Sequence, residues 1–364
     1  MKIAVDGRGV YWYRGTGMGT YTGALWKILE LYKKEAAFYT PVGWEFGTFD
    51  IPQDQCCERR DFWEMVSKPP PTIPRDCTVF HNPYHGFGMP SCKIPSVVTV
   101  HDVIPLVMPE VSGSPYREMF AETVSRGVRR ADSVIAVSQW TKNDLLERFP
   151  LPEEKIIVIP EFADEIFQPL PQETVKSFLK ESYGIERPYV LYVGGFGLRK
   201  NIAALIRAFA TVASKYPDEL LVISGKEGKN SEALKKLGAE LQLEGRIHFL
   251  GYVPRNHLPF FYNGADIFVY PSLYEGFGLP PLEAASCGKA IITSNTSSIP
   301  EMMGEGALLI DPSQGNELED ALDFLLQHES QREQLGRLAL ARAEIFTMER
   351  MAEQTLAVYE NLCR

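Results

Sequence analysis

The sequence predicts an α/β protein with two doubly wound domains, each a parallel sheet covered by helices on both faces. Its 364 residues are enough for two domains of ordinary size. Short apolar runs recur along the chain and are nearly continuous, which is typical of parallel strands buried on both faces. Amphipathic helical stretches separate most of these runs, so the alternation indicates repeated strand–helix units.

Ten of these apolar runs are candidate strands. The first half of the chain holds residues 2–7, 78–82, 96–102, 133–138 and 155–160. The second half holds residues 189–195, 220–225, 247–251, 267–272 and 290–294. A typical connecting helix is residues 201–216, where apolar side chains recur at helical spacing along one stripe.

The boundary between the domains is predicted within residues 161–173, which combine two prolines with several charges. We therefore expect a first domain of residues 1–168 and a second domain of residues 169–345. A further helix, near residues 348–362, follows the second domain.

The composition argues against several classes of function. A net charge of -10 disfavours a nucleic-acid binder, because neutralising phosphates needs a basic surface. The six cysteines form no C-x-x-C pair, which favours reduced, structural thiols. The chain contains no D-x-D pair and no P-loop or H-E-x-x-H motif, so no metal site is expected.

The protein is expected to be cytoplasmic. Its N-terminus has too few apolar residues for a signal peptide, and no run of about 18 apolar residues could span a membrane. Residues 46–66 carry aromatic side chains beside a basic pair. Peripheral contact with the inner face of a membrane is therefore an open alternative to an ordinary folded insertion.

Ligands of open parallel sheets bind outside the carboxyl ends of the strands. Polar or glycine-rich stretches stand at the carboxyl ends of three candidate strands, at His101–Asp102, residues 194–201 and residues 270–278. Because these stretches come from both halves of the chain, they predict a ligand site in a cleft between the two domains.

The stretch "GGFGLRKN", residues 194–201, has the composition of a phosphate site. Glycines let a ligand approach the backbone, and Arg199 and Lys200 precede a helix that is expected to begin at Asn201. A helix N-terminus beside two cations favours a diphosphate. A plain strand–helix turn with solvated cations is the alternative.

The stretch "EGFGLPPLEA", residues 275–284, places two glutamates eight positions apart. Its glycines permit a turn, and its two prolines suit the first turn of a helix. Glu275 should then lie in the loop and Glu283 about one turn into the helix. A carboxylate accepts two hydrogen bonds, which matches the vicinal diol of a ribose or a sugar. The pair therefore predicts two contacts with one extended ligand.

Two further features lie in the first half of the chain. The glycines of "RGTGMGTYTGAL", residues 14–25, lead into a helix and suit a phosphate or a sugar, but their position and spacing disfavour NAD binding. His101 ends a buried strand, where it could donate a hydrogen bond to a substrate hydroxyl or phosphate. His81 and His85 compete with it for this role.

Together these stretches resemble the retaining glycosyltransferases of family 4, which have the GT-B fold of two Rossmann-like domains facing across a cleft. The glutamate pair and "GGFGLRKN" carry the resemblance. Agreement extends to "TVHDVIPL" (99–106), "VSQWTKNDL" (137–145), "FLGYV" (249–253) and "SNTSSIPEMMGEGALLIDP" (294–312). The resemblance covers nearly the whole chain and is greatest for bacterial mannosyltransferases that build surface polysaccharides.

The resemblance implies a role for each candidate residue. Arg199 and Lys200 would hold the donor diphosphate as leaving group, and Glu283 would bind the nucleotide ribose. Glu275 would hold the donor sugar and phosphate, while His101 would bind a hydroxyl of that sugar. The rest of the implied nucleotide-sugar site consists of Gly17, Gly19, Thr20, Gly195, Gly225, Lys226, Tyr252, Val253, Gly276, Phe277, Gly278 and Leu279.

The implied activity is transfer of a hexose from a nucleotide-diphosphate sugar, without a metal or other cofactor, to a glycan or lipid-linked saccharide. Mannose from GDP-mannose is the expected donor. A UDP-sugar-dependent glucosyl- or N-acetylhexosaminyltransferase, an epimerase on the same fold and a non-catalytic binding protein are the alternatives. The acceptor is expected on the first domain, which holds the irregular residues 40–76. The C-terminal helix, about residues 346–364, would cross back to that domain.

Overall fold

The computed structural model describes residues 1–12, 16–40, 45–47, 72–226, 228 and 230–364. The chain divides into two compact units. Unit 1 comprises Met1–Glu161 together with Met348–Arg364, and unit 2 comprises Phe162–Thr347. The chain therefore enters unit 2 after Glu161, at the start of the stretch predicted as a boundary, rather than after residue 168.

A mostly parallel sheet forms the centre of unit 1. Its described strands are β1 (Lys2–Asp6), β2 (Glu35–Thr40), β3 (Glu45–Gly47), β4 (Val79–Asn82), β5 (Ser96–Val100), β6 (Ser133–Ala136) and β7 (Ile156–Val158). They lie in the order β3-β2-β1-β4-β5-β6-β7. Every pairing in it is parallel except that of β2 with β3.

Helices cover this sheet. Those described are α1 (Gly9–Trp12), α2 (Gly17–Leu31), α3 (Ile104–Val107), α4 (Ser114–Arg130), α5 (Gln139–Arg148) and the C-terminal helix Met348–Leu362. Apolar side chains of α4, such as Phe120 and Val124, pack with those of β5 and β6 in one core. The C-terminal helix contributes Tyr359, whose hydroxyl lies 2.6 Å from Nδ1 of the buried His81. Nε2 of His81 contacts Thr99 at 2.8 Å, so this histidine is held on both sides by protein.

Unit 2 has a fully parallel sheet between its helices. Its strands are β8 (Tyr189–Val193), β9 (Leu220–Ser224), β10 (Ile247–Gly251), β11 (Ile267–Tyr270), β12 (Ala290–Ser294) and β13 (Leu308–Ile310), in the order β10-β9-β8-β11-β12-β13. Its described helices are α6 (Gln172–Tyr183), α7 (Ile202–Ala213), α8 (Ser231–Glu240), α9 (Leu258–Gly264), α10 (Leu279–Ser286), α11 (Ile299–Met303), α12 (Gly315–Gln327) and α13 (Glu329–Ala343).

The ten predicted strands are confirmed, most of them trimmed by one to three residues at their ends. Strands β8, β9 and β12 are buried at every position, which explains their continuous apolar sequences. The predicted stripe of the 201–216 helix is also buried in α7. Strands β2, β3 and β13 were missed, because β2 begins with Glu35 and two alanines, and the other two have three residues each.

Each sheet reverses its strand order at one point among the described strands. In unit 1 the reversal lies between β1 and β4, and in unit 2 it lies between β8 and β11. The connections leave such neighbouring strands in opposite directions, so a crevice opens at their carboxyl ends. The residues that directly follow these four strands are therefore the first place to look for a ligand site.

A carboxylate at the other edge of the unit 2 sheet makes stability depend on pH. Glu219 directly precedes β9, is 6% exposed, and its Oε1 has no hydrogen-bond partner in the described part of the chain. Burial raises the pKa of Glu219 to about 8, and the nearby Asp266 acts in the same direction. The folded state thus keeps a proton that the unfolded chain has lost, so stability falls as the pH rises from 4.5 to about 8.

Glu219→Gln is expected to remove this loss, because the amide stays neutral at every pH. Between pH 5.5 and pH 8.5, the free energy of unfolding of the variant should rise relative to that of the wild type by about 3 kcal/mol. Urea unfolding at both pH values measures the difference. A difference that stays the same at the two pH values would contradict the assignment.

Candidate functional site

Polar side chains gather at the carboxyl edge of unit 2, where β8 and β11 lie side by side. Glu275 follows β11 and is 6% exposed. Its Oε1 lies 2.6 Å from three atoms, which are Nζ of Lys200, a terminal nitrogen of Arg199 and Oγ of Ser272. The hydroxyl of Tyr270 donates to the same oxygen at 3.0 Å. The structure therefore brings together three of the four residues predicted to act in catalysis.

The electrostatics of this cluster favour an anion. Burial by itself would raise the pKa of Glu275, but Arg199 and Lys200, together with the hydrogen bonds, hold it at about 2. At neutral pH one negative charge therefore faces two positive charges. The side chains of Arg199 and Lys200 are 23% and 12% exposed, so both reach solvent. An anionic ligand at this edge would meet net positive charge on side chains that are already held in place.

The two cations lie on a short 3-10 turn, Leu198–Lys200, and the helix that was predicted to begin at Asn201 has this residue as its N-cap. Asn201 adopts a left-handed backbone conformation (φ 54°) and precedes α7. The carbonyl oxygen of Arg199 accepts a hydrogen bond from the N–H of Leu273 at 2.7 Å. This bond ties the turn to the loop that carries Glu275, and so fixes the spacing between the cations and the carboxylate.

Predicted glycines meet where β8 and β9 end. A Cβ atom on Gly225 would lie 1.8 Å from the carbonyl oxygen of Gly194, so only glycine fits there. A Cβ atom on Gly195 would meet no atom of the described residues within 4 Å, and Lys226 is exposed. Gly195 and Lys226 thus lie open at this edge, and their contact with a ligand stays a prediction.

Two serines with no predicted role shape the loop after Glu275. Oγ of Ser297 accepts a hydrogen bond from the N–H of Glu275, and Oγ of Ser298 donates to the carbonyl oxygens of Glu275 and Phe277, each at 2.9 Å. Both serines follow β12 at the same edge, which is the sequence signal that points to them. Gly278 (φ 110°) then leads into α10. The predicted contacts Gly276, Phe277 and Gly278 are buried in this loop, and Leu279 opens the helix.

Glu283 lies one turn into α10, as predicted, and is 5% exposed. Its Oε2 accepts a hydrogen bond from the hydroxyl of Tyr262 at 2.8 Å, and its Oε1 lies 3.4 Å from a terminal nitrogen of Arg255. Burial raises the pKa of Glu283, and Arg255 and Tyr262 counteract part of the rise. Two other members of the predicted nucleotide-sugar site differ in exposure, since Tyr252 is 63% exposed and Val253 is buried.

His101 stands at the carboxyl end of β5 in unit 1, and both of its ring nitrogens have protein partners. Nδ1 lies 3.0 Å from Oε1 of Glu161, and Nε2 lies 2.8 Å from the carbonyl oxygen of Pro83. Burial alone would lower the pKa of His101, but Glu161 and Pro83 raise it above its usual value. His101 could bind a hydroxyl only in exchange for one of these partners, so this role stays a prediction. The competing His85 is buried, and its Nδ1 has no partner among the described residues.

The glycine-rich stretch before the first long helix lies differently from the prediction. α2 begins at Gly17, so Gly17, Gly19 and Thr20 form its first turn and are not a loop in front of it. Oγ1 of Thr16 caps the helix by accepting a hydrogen bond from the N–H of Gly19 at 3.4 Å. Gly15 lies outside the described residues. Any contact of these residues with a phosphate would therefore come from a helix N-terminus.

A buried ion pair at the reversal point of unit 1 was not predicted. Arg8 has no exposed surface and donates to both carboxylate oxygens of Asp6, at 2.9 and 2.6 Å. Nδ2 of Asn82 donates to Asp6 at 3.3 Å, and Nε of Arg8 donates to the hydroxyl of Tyr84 at 3.1 Å. The sequence signal was the polar run that directly follows β1. The network holds the ends of β1 and β4 together where their connections diverge.

Two predictions fall mainly on residues outside the described part of the chain. They are the membrane contact of residues 46–66 and the acceptor region of residues 40–76. Among the residues that are described, no helix has both the length and the apolar character needed to cross a bilayer. The described cysteines, Cys77, Cys92, Cys287 and Cys363, are free thiols.

Two protein-family models match the chain. The model described as glycosyl transferases group 1 matches residues 175–342, and the model described as glycosyltransferase family 4 matches residues 59–165. The first match contains Arg199, Lys200, Glu275 and Glu283, and the second contains His101.

Similar proteins include O-antigen chain mannosyltransferase B of Escherichia coli, which is 32% identical over 285 residues. The match covers 77% of this chain and 74% of that protein. Among solved structures, sucrose-phosphate synthase from Thermosynechococcus elongatus has a TM-score of 0.78 at 21% identity, over 100% of this chain and 99% of its own. Anabaena HepE, solved with UDP and glucose, has a TM-score of 0.73 at 18% identity, over 99% of both chains. These likenesses confirm the predicted GT-B fold.

Proposed function

The chain belongs to the glycosyltransferases of group 1 and family 4, and on that premise we propose that it transfers mannose from GDP-mannose to a glycan or lipid-linked saccharide, with retention at the anomeric carbon. The support for mannose is the identity of 32% with an O-antigen chain mannosyltransferase. The product would extend a surface polysaccharide.

The observation that carries this proposal is the grouping of Arg199, Lys200 and Glu275 at the reversal point of unit 2. A donor diphosphate placed there is met by two cations, whose charge stabilises the negative charge that develops on the departing phosphate. Glu275 keeps both cations in position through Oε1. Its other oxygen, Oε2, is the atom that we assign to a hydroxyl of the donor sugar.

The reaction breaks the bond between the anomeric carbon and the diphosphate oxygen, and the electron pair stays on the phosphate. The oxygen of the acceptor hydroxyl forms the new bond on the same face of the sugar, and its proton passes to the leaving phosphate. No protein nucleophile takes part, so catalysis consists of positioning and charge stabilisation. We assign the ribose hydroxyls to Glu283 and a hydroxyl of the donor sugar to His101.

The acceptor is assigned to unit 1, because the residues proposed for the donor diphosphate and ribose belong to unit 2. A lipid-linked saccharide would bring the protein to a membrane surface. Residues 46–66, with their aromatic side chains beside a basic pair, are the segment proposed for that contact.

The donor is tested by thermal unfolding with GDP-, UDP-, ADP- and dTDP-sugars. A donor at about 100 times its Kd stabilises the protein by about 2.7 kcal/mol, which raises Tm by about 5–10 °C. We expect GDP-mannose to give the largest shift. A larger shift with a UDP-sugar would reassign the donor to the UDP-dependent alternative.

Product analysis with the selected donor separates the remaining activities. A glycosyltransferase forms a new glycoside only when an acceptor is present, an epimerase changes the sugar without an acceptor, and a binding protein leaves the donor intact. The reaction is run with and without EDTA. Because we assign the charge of the leaving group to Arg199 and Lys200, turnover is expected to persist in EDTA, and strict dependence on a metal would contradict that assignment.

A further inference from the structure

Arg255 lies beside the carboxylate that is proposed to hold the donor ribose. It stands between β10 and α9, with 38% of its side chain exposed. One terminal nitrogen lies 3.4 Å from Oε1 of Glu283, and the other lies 3.8 Å from Oδ2 of Asp164. The guanidinium carbon lies 5.2 Å from the centre of the Phe167 ring. One cation therefore contacts two carboxylates and an aromatic face.

Arg255, Phe167, Tyr262 and Glu283 form a closed series of contacts, each residue touching the next. Phe167 meets Tyr262 edge-on, with ring centres 5.6 Å apart, and the hydroxyl of Tyr262 donates to Oε2 of Glu283 at 2.8 Å. Each oxygen of the carboxylate thus has its own partner, Arg255 on one side and Tyr262 on the other. A carboxylate held at both oxygens presents its remaining lone pairs in fixed directions, as recognition of a vicinal diol requires.

From this geometry we propose that Arg255 is a positioning residue for the donor, acting through Glu283 on the two ribose hydroxyls. The inference rests on the proposed function, because it takes Glu283 to be the ribose ligand. Asp164 and Phe167 contact Arg255 and hold its guanidinium group beside Glu283. Both belong to the first few residues of unit 2, which begins at Phe162.

The charge of Glu283 is the property through which Arg255 acts. Burial raises the pKa of Glu283, Arg255 and the Tyr262 hydroxyl lower it, and Asp164 acts in the same direction as burial. Cys287 also faces this carboxylate, and burial raises the pKa of the Cys287 thiol and the Tyr262 hydroxyl, so both are neutral. Without Arg255, the pKa of Glu283 would be higher, so the carboxylate would become protonated more readily as the pH falls. The protonated group accepts fewer hydrogen bonds from the diol.

The test compares GDP with 2′-deoxy-GDP, and UDP with 2′-deoxy-UDP, by titration calorimetry at pH 6 and pH 8. The wild-type chain should bind the ribonucleotide of the matching base more tightly than its deoxy form. In Arg255→Ala, the Kd of that ribonucleotide should rise about tenfold at pH 6 and less at pH 8. The Kd of the deoxy form should change less, so the preference for ribose shrinks.

Two variants serve as controls. Arg255→Lys keeps a positive charge and should restore part of the ribose preference. Arg187 precedes β8 and donates to the carbonyl oxygens of Pro217 and Asp218, which precede β9. Arg187→Ala therefore removes an arginine of unit 2 at the other edge of the sheet and should leave the preference for ribose unchanged.

The possible outcomes separate this inference from the proposed function. If Arg255→Ala weakened binding of the ribonucleotide and of its deoxy form equally at both pH values, the inference would be overturned, because Arg255 would then support the fold alone. Unchanged ribose preference in Arg255→Ala would overturn it as well, with the proposed function intact. A wild-type chain that binds none of the four nucleotides would overturn the proposed function, and this inference with it.

Discussion

Lys200→Ala is expected to lower kcat for sugar transfer by roughly 10²–10³-fold, which is the usual effect of removing one donor that stabilises a developing oxyanion. The fold should survive, because Glu275 keeps Arg199, Ser272 and Tyr270 as partners. After the substitution the carboxylate of Glu275 faces one cation, Arg199, so no unbalanced charge is left in this cluster. Steady-state kinetics at saturating donor and acceptor measures the change, and circular dichroism checks the fold.

Lys215→Ala is the matched control for this experiment. Lys215 also lies in unit 2 and pairs with Asp323, but its side chain is 59% exposed, and it follows the C-terminus of α7 whereas Lys200 precedes the N-terminus of that helix. Its removal should leave kcat unchanged. Full activity of Lys200→Ala and of Arg199→Ala would rule out the role assigned to these cations on the leaving group.

Glu275→Ala is expected to affect stability as well as activity. The substitution leaves Arg199 and Lys200 close together without the carboxylate that both contact at 2.6 Å. Breaking a buried pair in this way destabilises a protein by about 3–5 kcal/mol, and the partial exposure of the two cations places this case near 3 kcal/mol. Transfer activity should also fall, because the cations lose the group that fixes their position.

The pH dependence of the Glu275 effect identifies its cause. Since the pKa of Glu275 is held at about 2, its contribution to stability is fully present above the usual value of 4.5 and is lost as the pH falls through 2. The difference in unfolding free energy between wild type and Glu275→Ala should therefore be largest at neutral pH and smaller at pH 3. If the loss were the same at both pH values, it would come from packing and not from the charge.

Much of the fold could be predicted because strands buried on both faces leave continuous apolar runs in the sequence. The strands that escaped prediction are short or lie toward the edges of their sheets, where burial imposes less on the sequence, as with β2 and β13. The chain enters unit 2 after Glu161, at the start of the predicted boundary stretch of residues 161–173, because the prolines and charges that mark this stretch do not locate the crossing within it. In the structure Glu161 contacts His101, and Asp164 lies near Arg255.

The candidate site could be predicted in part for a related reason. Glu275 and Glu283 lie within one short motif, and Arg199 and Lys200 follow a strand directly, so local sequence indicates them. Their partners come from other parts of the chain. Ser297 stands 22 residues from Glu275, and Arg255 stands 28 residues from Glu283. Such pairs can be predicted only when the order of the strands in the sheet is known, and local sequence does not define that order.

Because of the C-terminal helix, the two units are completed in a different order from that in which their synthesis begins. Unit 2 is one continuous stretch and is complete once Thr347 has left the ribosome. Unit 1, although most of it is made first, waits for Met348–Leu362, whose buried face includes Met351, Leu356 and Tyr359. When Thr347 has been added, unit 2 has all of its residues while unit 1 still lacks its last helix, the reverse of the usual N-terminal-first order. Until that helix docks, the apolar surface of unit 1 that it covers stays exposed.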